Sequence, residues 1–191
     1  MILCWLSICY FAAGFPSNNF QTLGHTVESE VQQRIFTPLG MKDTLMPAST
    51  NASMPLPFAR GYELNGGSRR EYTTLNPSWA WAAGSSISTV HDLGIWAKSL
   101  ATGQLLPPAL QAKRLTWSPI PPSSLHYGLA IMDLGAGYIG HDGRMPGYES
   151  IEGYEPETHT TLVVLADLGL GADDSPPADT LANVIALDLL S

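Results

Sequence analysis

Apolar residues recur at every fourth position in the first third of the chain, and this spacing predicts a helix. Between residues 21 and 36 the recurring positions are Leu23, Val27, Val31 and Ile35. Residues four apart lie on one face of an α-helix, so they would form a single buried stripe. Pro38 is predicted to end this helix because proline has no backbone N–H to donate. Residues 37–80 are rich in Pro, Gly, Asn and Ser, and they predict a long irregular excursion.

A second helix has sequence signals at both of its ends. Within STVHDLGIWAKSLATG, Thr89 and Asp92 have the spacing of a capping box, and Gly103 suits the left-handed turn that follows a helix. The predicted inner face consists of Leu93, Trp96 and Leu100. Pro108 fits the first turn of a further helix, which we predict to run to about Leu115.

After Tyr127 the pattern becomes typical of strands. The segments YGLAIMDLG, GYIGHDG, YESIEGYEP and HTTLVVLADL are short, rich in β-branched and aromatic residues, and separated by Gly or Pro. We predict consecutive antiparallel strands, of which HTTLVVLADL is the most buried. Pro176 and Pro177 open a last helix. The residues of that helix predicted to lie along the sheet are Leu181, Ile185 and Leu189. The predicted fold class is α+β, an antiparallel sheet with packed helices.

Composition narrows the possible functions. The chain has 191 residues, 45% of them hydrophobic and 14% charged, which is typical of one globular domain. Its net charge is −8 and it has no basic stripe, so no nucleic-acid partner is expected. The two cysteines, Cys4 and Cys9, form no disulfide framework, and the five histidines stand singly. We therefore expect neither a metal site nor a cofactor.

Residues 1–14, MILCWLSICYFAAG, form an apolar leader ahead of the predicted domain at residues 15–191. This leader is similar to the core of a signal peptide, although no positive residues precede it. A buried strand or helix of the domain is the alternative interpretation. The apolar N-terminus favours an exported or cell-envelope protein, and the localisation stays open.

The nine residues Gly140 to Tyr148, GHDGRMPGY, place a histidine and an aspartate inside a glycine-rich turn. One interpretation is an ordinary hairpin whose polar residues face solvent. The other is a turn that shapes the rim of an active site. From the residues alone both interpretations stay open.

Three stretches together resemble one family. RIFTPLGMKDTLMPAS, WAAGSSISTVHDLGIWAKSL and YGLAIM…GHDGRMPGYES occur in the order found in β-lactamase-related serine hydrolases. That family contains class C β-lactamases, D-Ala-D-Ala carboxypeptidases and related esterases. The resemblance implies the C-terminal part of the β-lactamase/transpeptidase-like fold. It also implies a small-molecule or peptide substrate, namely a β-lactam, a D-Ala-D-Ala peptide or a small ester.

The resemblance also implies roles for particular residues. His141, Asp142 and Gly143 match the family's His-x-Gly motif, so His141 would hydrogen-bond the substrate and Gly143 would let it approach the strand. Asp142 is not expected to orient His141, because adjacent strand residues point to opposite faces. In FPSNNFQTLG, Phe15 stands where the family has a tyrosine and Ser17 where it has an asparagine. Phenylalanine has no hydroxyl with which to relay a proton.

The family's nucleophile is absent from the sequence. The residues three positions before Lys42, Lys98 and Lys113 are leucine or isoleucine, so the chain contains no Ser-x-x-Lys. We therefore expect a partial domain that is inactive as this truncated chain. The alternative is a non-catalytic remnant that binds a ligand or a partner. Loss of the preceding strands would leave an exposed sheet edge through which the chain self-associates.

Two other groups of residues allow a catalytic and a structural interpretation. Ser85, Ser86 and Ser88 lie near His91 and Asp92 in the sequence. We favour Asp92 as the acid of the capping box and His91 as an exposed first-turn residue over a catalytic triad. The three tryptophans at positions 79, 81 and 96 are predicted to pack in the core rather than to line a substrate wall.

Overall fold

The computed structural model describes residues 2–3, 24–47, 53–123, 125–169 and 175–189. Its first helix, α1, has three consecutive parts. They are an α-helix over Val27–Val31, a π-helix over Gln32–Phe36 and an α-helix over Thr37–Leu39. Val27, Val31 and Ile35 are buried, as their spacing predicts. Leu23 lies outside the described residues.

Both predicted ends of α1 need correction. The helix begins at Val27, where Thr26 and Ser29 form a capping box, rather than near residue 21. It continues through Pro38 and ends at Gly40, which has a φ of 74°. Pro38 lies in the first turn of the Thr37–Leu39 part, where its missing N–H is tolerated, so the proline does not end the helix.

Residues 37–80 are more regular than predicted. A β-hairpin, β2 (Tyr62–Asn65) and β3 (Ser68–Glu71), is closed by Gly66 and Gly67, which both have positive φ. A 3₁₀-helix follows over Pro77–Ala83. The Gly66–Gly67 pair is a hairpin signal. It was missed because the whole segment is rich in turn-forming residues.

The middle of the chain forms the predicted helices. The two-residue strand β4 (Ile87–Ser88) pairs antiparallel with β1 (Ile2–Leu3). Helix α2 (Val90–Thr102) ends at Gly103, and its residues Leu93, Trp96 and Leu100 are buried as predicted. Helix α3 covers Pro108–Arg114. No helix among the described residues is long and apolar enough to cross a membrane.

The second half of the chain forms a six-stranded antiparallel sheet. Its strands are β5 (Ser118–Pro119), β6 (His126–Tyr127), β7 (Met132–Gly135), β8 (Tyr138–Met145), β9 (Tyr148–Glu155) and β10 (Thr160–Ala166). The spatial order, β10-β9-β8-β7-β6-β5, follows the chain order in reverse. The α+β prediction is confirmed. The most buried strand is β9 rather than β10, because β9 lies inside the sheet and β10 lies at its edge.

Helices cover both faces of the sheet. Helix α2 packs on one face, where Ala97 and Ala101 contact Tyr154. The last helix, α4 (Pro177–Leu189), packs on the opposite face through Ala178 and Ala182. The prediction that Leu181 faces the sheet is wrong, because its side chain is 51% exposed. The close approach of α4 requires small residues at the contact, so the alanine stripe faces inward. Ile185 is partly buried against this cluster, as predicted.

Candidate active site

The candidate site lies on β8, the strand that carries the predicted His-x-Gly motif. His141 and Gly143 are buried, whereas Asp142 is partly exposed. Gly140, just before the motif, leaves no room for a side chain, because a Cβ atom there would lie 1.9 Å from the main-chain oxygen of Glu152. Glycine is therefore required for β8 to approach β9 this closely.

A chain of polar contacts passes through the imidazole of His141. The hydroxyl of Tyr127 lies 2.7 Å from His141 Nε2, and the two rings meet edge to face. His141 Nδ1 lies 2.5 Å from the carbonyl oxygen of Asp142 and 3.2 Å from its carboxylate Oδ1. The expectation that Asp142 does not orient His141 is therefore wrong. Although adjacent side chains leave opposite faces of a strand, both oxygen groups of Asp142 lie within hydrogen-bonding distance of Nδ1.

The charge of Asp142 is favoured by this contact. The hydrogen bond from His141 lowers the pKa of the Asp142 carboxyl below its ordinary value, against the opposing effect of burial. Arg144 contributes in the same direction. The carboxylate of Asp142 is thus ionised beside the imidazole over the physiological pH range.

One edge of β8 is open next to His141. Strand β7 pairs with β8 only as far as Gly140, and no described strand continues that pairing. Met145 and Tyr148 close a two-residue turn with β9. Because the main-chain groups of a strand alternate between its two edges, Asp142 and Arg144 then direct their N–H and C=O groups to the open side. An extended substrate can add to such an edge by main-chain hydrogen bonds.

Glu152, which the sequence interpretation did not single out, faces His141 across the β8–β9 pair. Its side chain is fully buried, and neither carboxylate oxygen has a hydrogen-bond partner in the part of the chain that the structure describes. Burial raises the pKa of Glu152 well above its ordinary value, and the charge of Asp142 adds to this. YESIEGYE contains three glutamates, and nothing in the sequence distinguishes Glu152 from Glu149 and Glu155.

The serines near His91 do not form a triad. Ser85, Ser86 and Ser88 are buried, whereas His91 is exposed. Thr89 Oγ1 accepts the Asp92 N–H, which is one half of the predicted capping box. The carboxylate of Asp92 has a different role from the one predicted.

Asp92 joins α2 to the segment after α1. Its Oδ2 accepts hydrogen bonds from the Asp43 N–H at 2.8 Å and from the Thr44 hydroxyl at 2.7 Å, and Thr44 Oγ1 lies 2.8 Å from Ser88 Oγ. The Asp92 side chain is 1% exposed. A buried carboxylate with these donors is a structural link between two segments.

The tryptophans divide between core and surface. Trp96 is buried as predicted, but Trp79 and Trp81 are 61% and 51% exposed, so the prediction of core packing is wrong for these two. Trp81 has φ 45° and ψ −130°, and its carbonyl accepts hydrogen bonds from Ser85 N and Ser85 Oγ.

Two further predicted site residues, Phe15 and Ser17, lie outside the described residues. Within the ranges that are described, no group of three or more His, Cys, Asp or Glu side chains could hold a metal ion.

An antiparallel sheet with helices on both faces and a His-x-Gly strand at an open edge is the arrangement of the β-lactamase-related serine hydrolases. A profile of the Beta-lactamase family matches residues 21–187. This chain belongs to the β-lactamase family.

Solved structures with similar folds include two amide-cleaving enzymes. The D-stereospecific amidohydrolase from Streptomyces sp. is 28% identical, with a TM-score of 0.70, over 78% of this chain and 46% of that one. The D-amino acid amidase from Ochrobactrum anthropi SV3, complexed with L-phenylalanine, is 27% identical with a TM-score of 0.72. That match covers 93% of this chain and 53% of the amidase.

A third similar structure shows the fold alone. The octameric penicillin-binding protein homologue from Pyrococcus abyssi is 24% identical with a TM-score of 0.70, over 90% of this chain and 39% of that one. The chain therefore spans about half the length of the solved structures that it matches.

Proposed function

We propose that this chain provides the substrate-binding wall of a serine hydrolase that cleaves an acyl bond. The wider substrate class is a β-lactam, a D-Ala-D-Ala peptide or a small ester. The similarity to a D-stereospecific amidohydrolase and a D-amino acid amidase favours a small amide of a D-amino acid within that class.

The observation that carries this proposal is the open edge of β8 beside His141. Main-chain groups of Asp142 and Arg144 lie along that edge, and the imidazole of His141 is fixed by Tyr127 and Asp142. Both imidazole nitrogens already have protein partners, so His141 holds the strand in place rather than bonding the substrate. The unpaired main-chain groups of the fixed strand edge can hold an amide in one orientation.

We further propose that the 191 residues do not hydrolyse the substrate by themselves. A serine hydroxyl is a weak nucleophile until a neighbouring base removes its proton, and the chain has no Ser-x-x-Lys. Ser85 and Ser86 are each 1% exposed, so they are inaccessible to a bulky acyl donor. Removing a group that acts as a unit with others lowers the rate by several orders of magnitude.

Substrate binding can be tested by NMR titration with the amide of D-phenylalanine. We expect the amide signals of residues 141–144 to shift, and His141→Ala to weaken binding at least tenfold. His159→Ala is the matched control, because His159 also contacts a tyrosine hydroxyl but lies in the β9–β10 turn. Binding that is absent, or equally weakened by the control substitution, would contradict the proposal.

The absence of Ser-x-x-Lys also favours a second candidate, a ligand-binding protein with no hydrolytic role. Incubation with a fluorescent penicillin, followed by mass spectrometry, tests whether the chain alone acylates. We expect no adduct on any serine and no turnover of a chromogenic cephalosporin above that of His141→Ala. A stoichiometric serine adduct would show that the chain has its own nucleophile and would exclude this second candidate.

A further inference from the structure

Tyr127, His141 and Asp142 form a hydrogen-bonded series that none of the sequence motifs indicated. Tyr127 belongs to β6, two strands away from β8. Strand β7 begins at Met132, opposite Gly140, so the Tyr127 ring can pass the end of β7 and reach the His141 imidazole. The Oη–Nε2 distance of 2.7 Å is that of a well-formed hydrogen bond.

The direction of these hydrogen bonds follows from the groups around the imidazole. Nδ1 faces two acceptors, the carbonyl and the carboxylate of Asp142, so Nδ1 carries a proton. In the neutral imidazole Nε2 is then an acceptor, and the Tyr127 hydroxyl donates to it. The series therefore has the order of hydroxyl, base and orienting carboxylate that activates hydroxyl groups in enzymes.

We propose that Tyr127 is the proton-transfer group of this site, activated by His141 and Asp142. The proposal rests on the proposed function. The family's tyrosine position is occupied by Phe15, which has no hydroxyl, and Tyr127 would supply a phenol from the β-sheet wall instead.

The proposed proton transfer begins at Tyr127. The Tyr127 O–H bond breaks and an N–H bond forms at His141 Nε2, which leaves a phenolate next to an imidazolium. The carboxylate of Asp142 stabilises that imidazolium. In the serine hydrolase of which we propose this chain is a part, the nucleophile is a serine hydroxyl outside these 191 residues. The phenolate accepts the proton of that hydroxyl as its oxygen bonds the acyl carbon, and it passes the proton to the leaving group as the acyl bond breaks. The proton held on Nε2 then returns to Oη.

This activation can be measured without hydrolytic activity, using an arylsulfonyl fluoride. The Tyr127 oxygen forms an O–S bond, the S–F bond breaks, fluoride leaves, and the phenol proton goes to His141. Tyr62 and Tyr72 are internal controls, because they are also partly exposed and have an arginine, not an imidazole, over their rings. We expect Tyr127 to be modified at least ten times faster than either, as followed by peptide mass spectrometry.

Two variants separate activation from simple positioning. Asp142→Asn keeps an oxygen that can accept the Nδ1 proton but removes the charge, so we expect the modification of Tyr127 to slow at least tenfold. Tyr127→Phe should lose the adduct while the modification of Tyr62 and Tyr72 is unchanged. Circular dichroism of both variants shows whether they are folded.

Two results would overturn the proposal. One is modification of Tyr127 no faster than that of Tyr62 and Tyr72. The other is fast modification that Asp142→Asn leaves unchanged in a folded variant. Neither measurement of Tyr127 modification requires substrate binding. An activated Tyr127 in a chain that does not bind the amide would refute only the proposed function. Binding of the amide without activation of Tyr127 would refute only this inference.

Discussion

At the amino-terminal end of α4, three carboxyl groups lie near a single arginine. Arg144 donates to Glu149 Oε1, and Glu149 Oε2 accepts the Ala178 N–H at 2.7 Å. Asp179, in the first turn of α4, has one carboxylate oxygen without a hydrogen-bond partner among the described residues. Burial, followed by the charges of Asp142 and Glu149, raises the pKa of Asp179 to about 6.

This pKa predicts that Asp179 destabilises the protein at neutral pH. Its pKa when folded lies above the ordinary value of 3.8, so the folded state binds a proton more tightly between about pH 4 and pH 6. The contribution of Asp179 to stability therefore falls as the pH rises through 6. We expect Asp179→Asn to raise the free energy of unfolding at pH 7 by about 1 kcal/mol after solvent screening, and to have little effect at pH 4.

Urea unfolding of both proteins at the two pH values tests this expectation. Glu157→Gln, at an exposed turn position, is the control and should change the free energy of unfolding by less than about 0.5 kcal/mol. Equal effects of Asp179→Asn at pH 7 and pH 4 would contradict the pKa assignment.

Single residues differ in how far the sequence predicts their roles. The His-x-Gly match directs attention to His141, which the structure places on β8 in contact with Tyr127 and Asp142; its role in substrate binding stays a prediction. The contact between Tyr127 and His141 was not predictable, since the two residues lie 14 positions apart on different strands. The Asp92 carboxylate was assigned to a local capping box, but its hydrogen bonds are to residues 43 and 44. Local spacing carries no information about such long-range donors.

Among the elements, α4 illustrates how contact distance selects the buried face of a helix. Ala178 and Ala182 are 0% and 2% exposed against the sheet, while Leu181 and Val184 are 51% and 60% exposed. Hydrophobicity alone favours the leucine stripe as the inner face. The small side chains lie inward because α4 packs close to β9 and β10.

This packing predicts opposite effects for two neighbouring substitutions. Leu181→Lys should change the free energy of unfolding by less than about 0.5 kcal/mol, because the position is solvated. Ala182→Leu should cost about 1–3 kcal/mol, because Ala182 is buried against Ile151 and Val164 and the larger side chain would overpack this contact. Thermal and urea unfolding of both variants measure the difference. A larger loss for Leu181→Lys would show that α4 is rotated in solution.

Element types were predicted better than element boundaries. The regular spacing in α2 and the alternation after Tyr127 gave the correct helix and strands. The π-helical turn of α1 was missed because no spacing in the sequence marks it, and the β2–β3 hairpin was missed because its signal is the short Gly66–Gly67 pair. The prediction that β10 is the most buried strand was wrong, because a sequence does not show which strand lies at the edge of a sheet.

At the scale of the whole molecule, the two edge strands of the six-stranded sheet are β10 and β5. Strand β10 has seven residues and pairs over its full length with β9 only, among the strands that the structure describes. Strand β5, at the other end, has two residues. A long edge strand can template pairing with another chain, whereas a two-residue strand is too short to do so.

We therefore predict that the chain self-associates through β10. Sedimentation velocity should show a concentration-dependent species larger than a monomer. Thr161→Lys places a charge at an exposed position of β10, and it should raise the dissociation constant at least tenfold. Ser118→Lys on β5 is the control and should leave association unchanged. A monomer at every concentration would contradict the prediction.

The sequential strand order of the sheet also has a consequence for how the chain folds. Every strand from β6 to β10 pairs with its immediate predecessor, and the turn between β8 and β9 has only two residues. Each step therefore closes a short loop, for which the entropy loss is small. By contrast, β1 and β4 must meet across more than eighty residues. The β8–β9 hairpin, which carries His141, can thus form early and independently. The later pairing of β1 with β4 would take place beside a sheet that is already assembled.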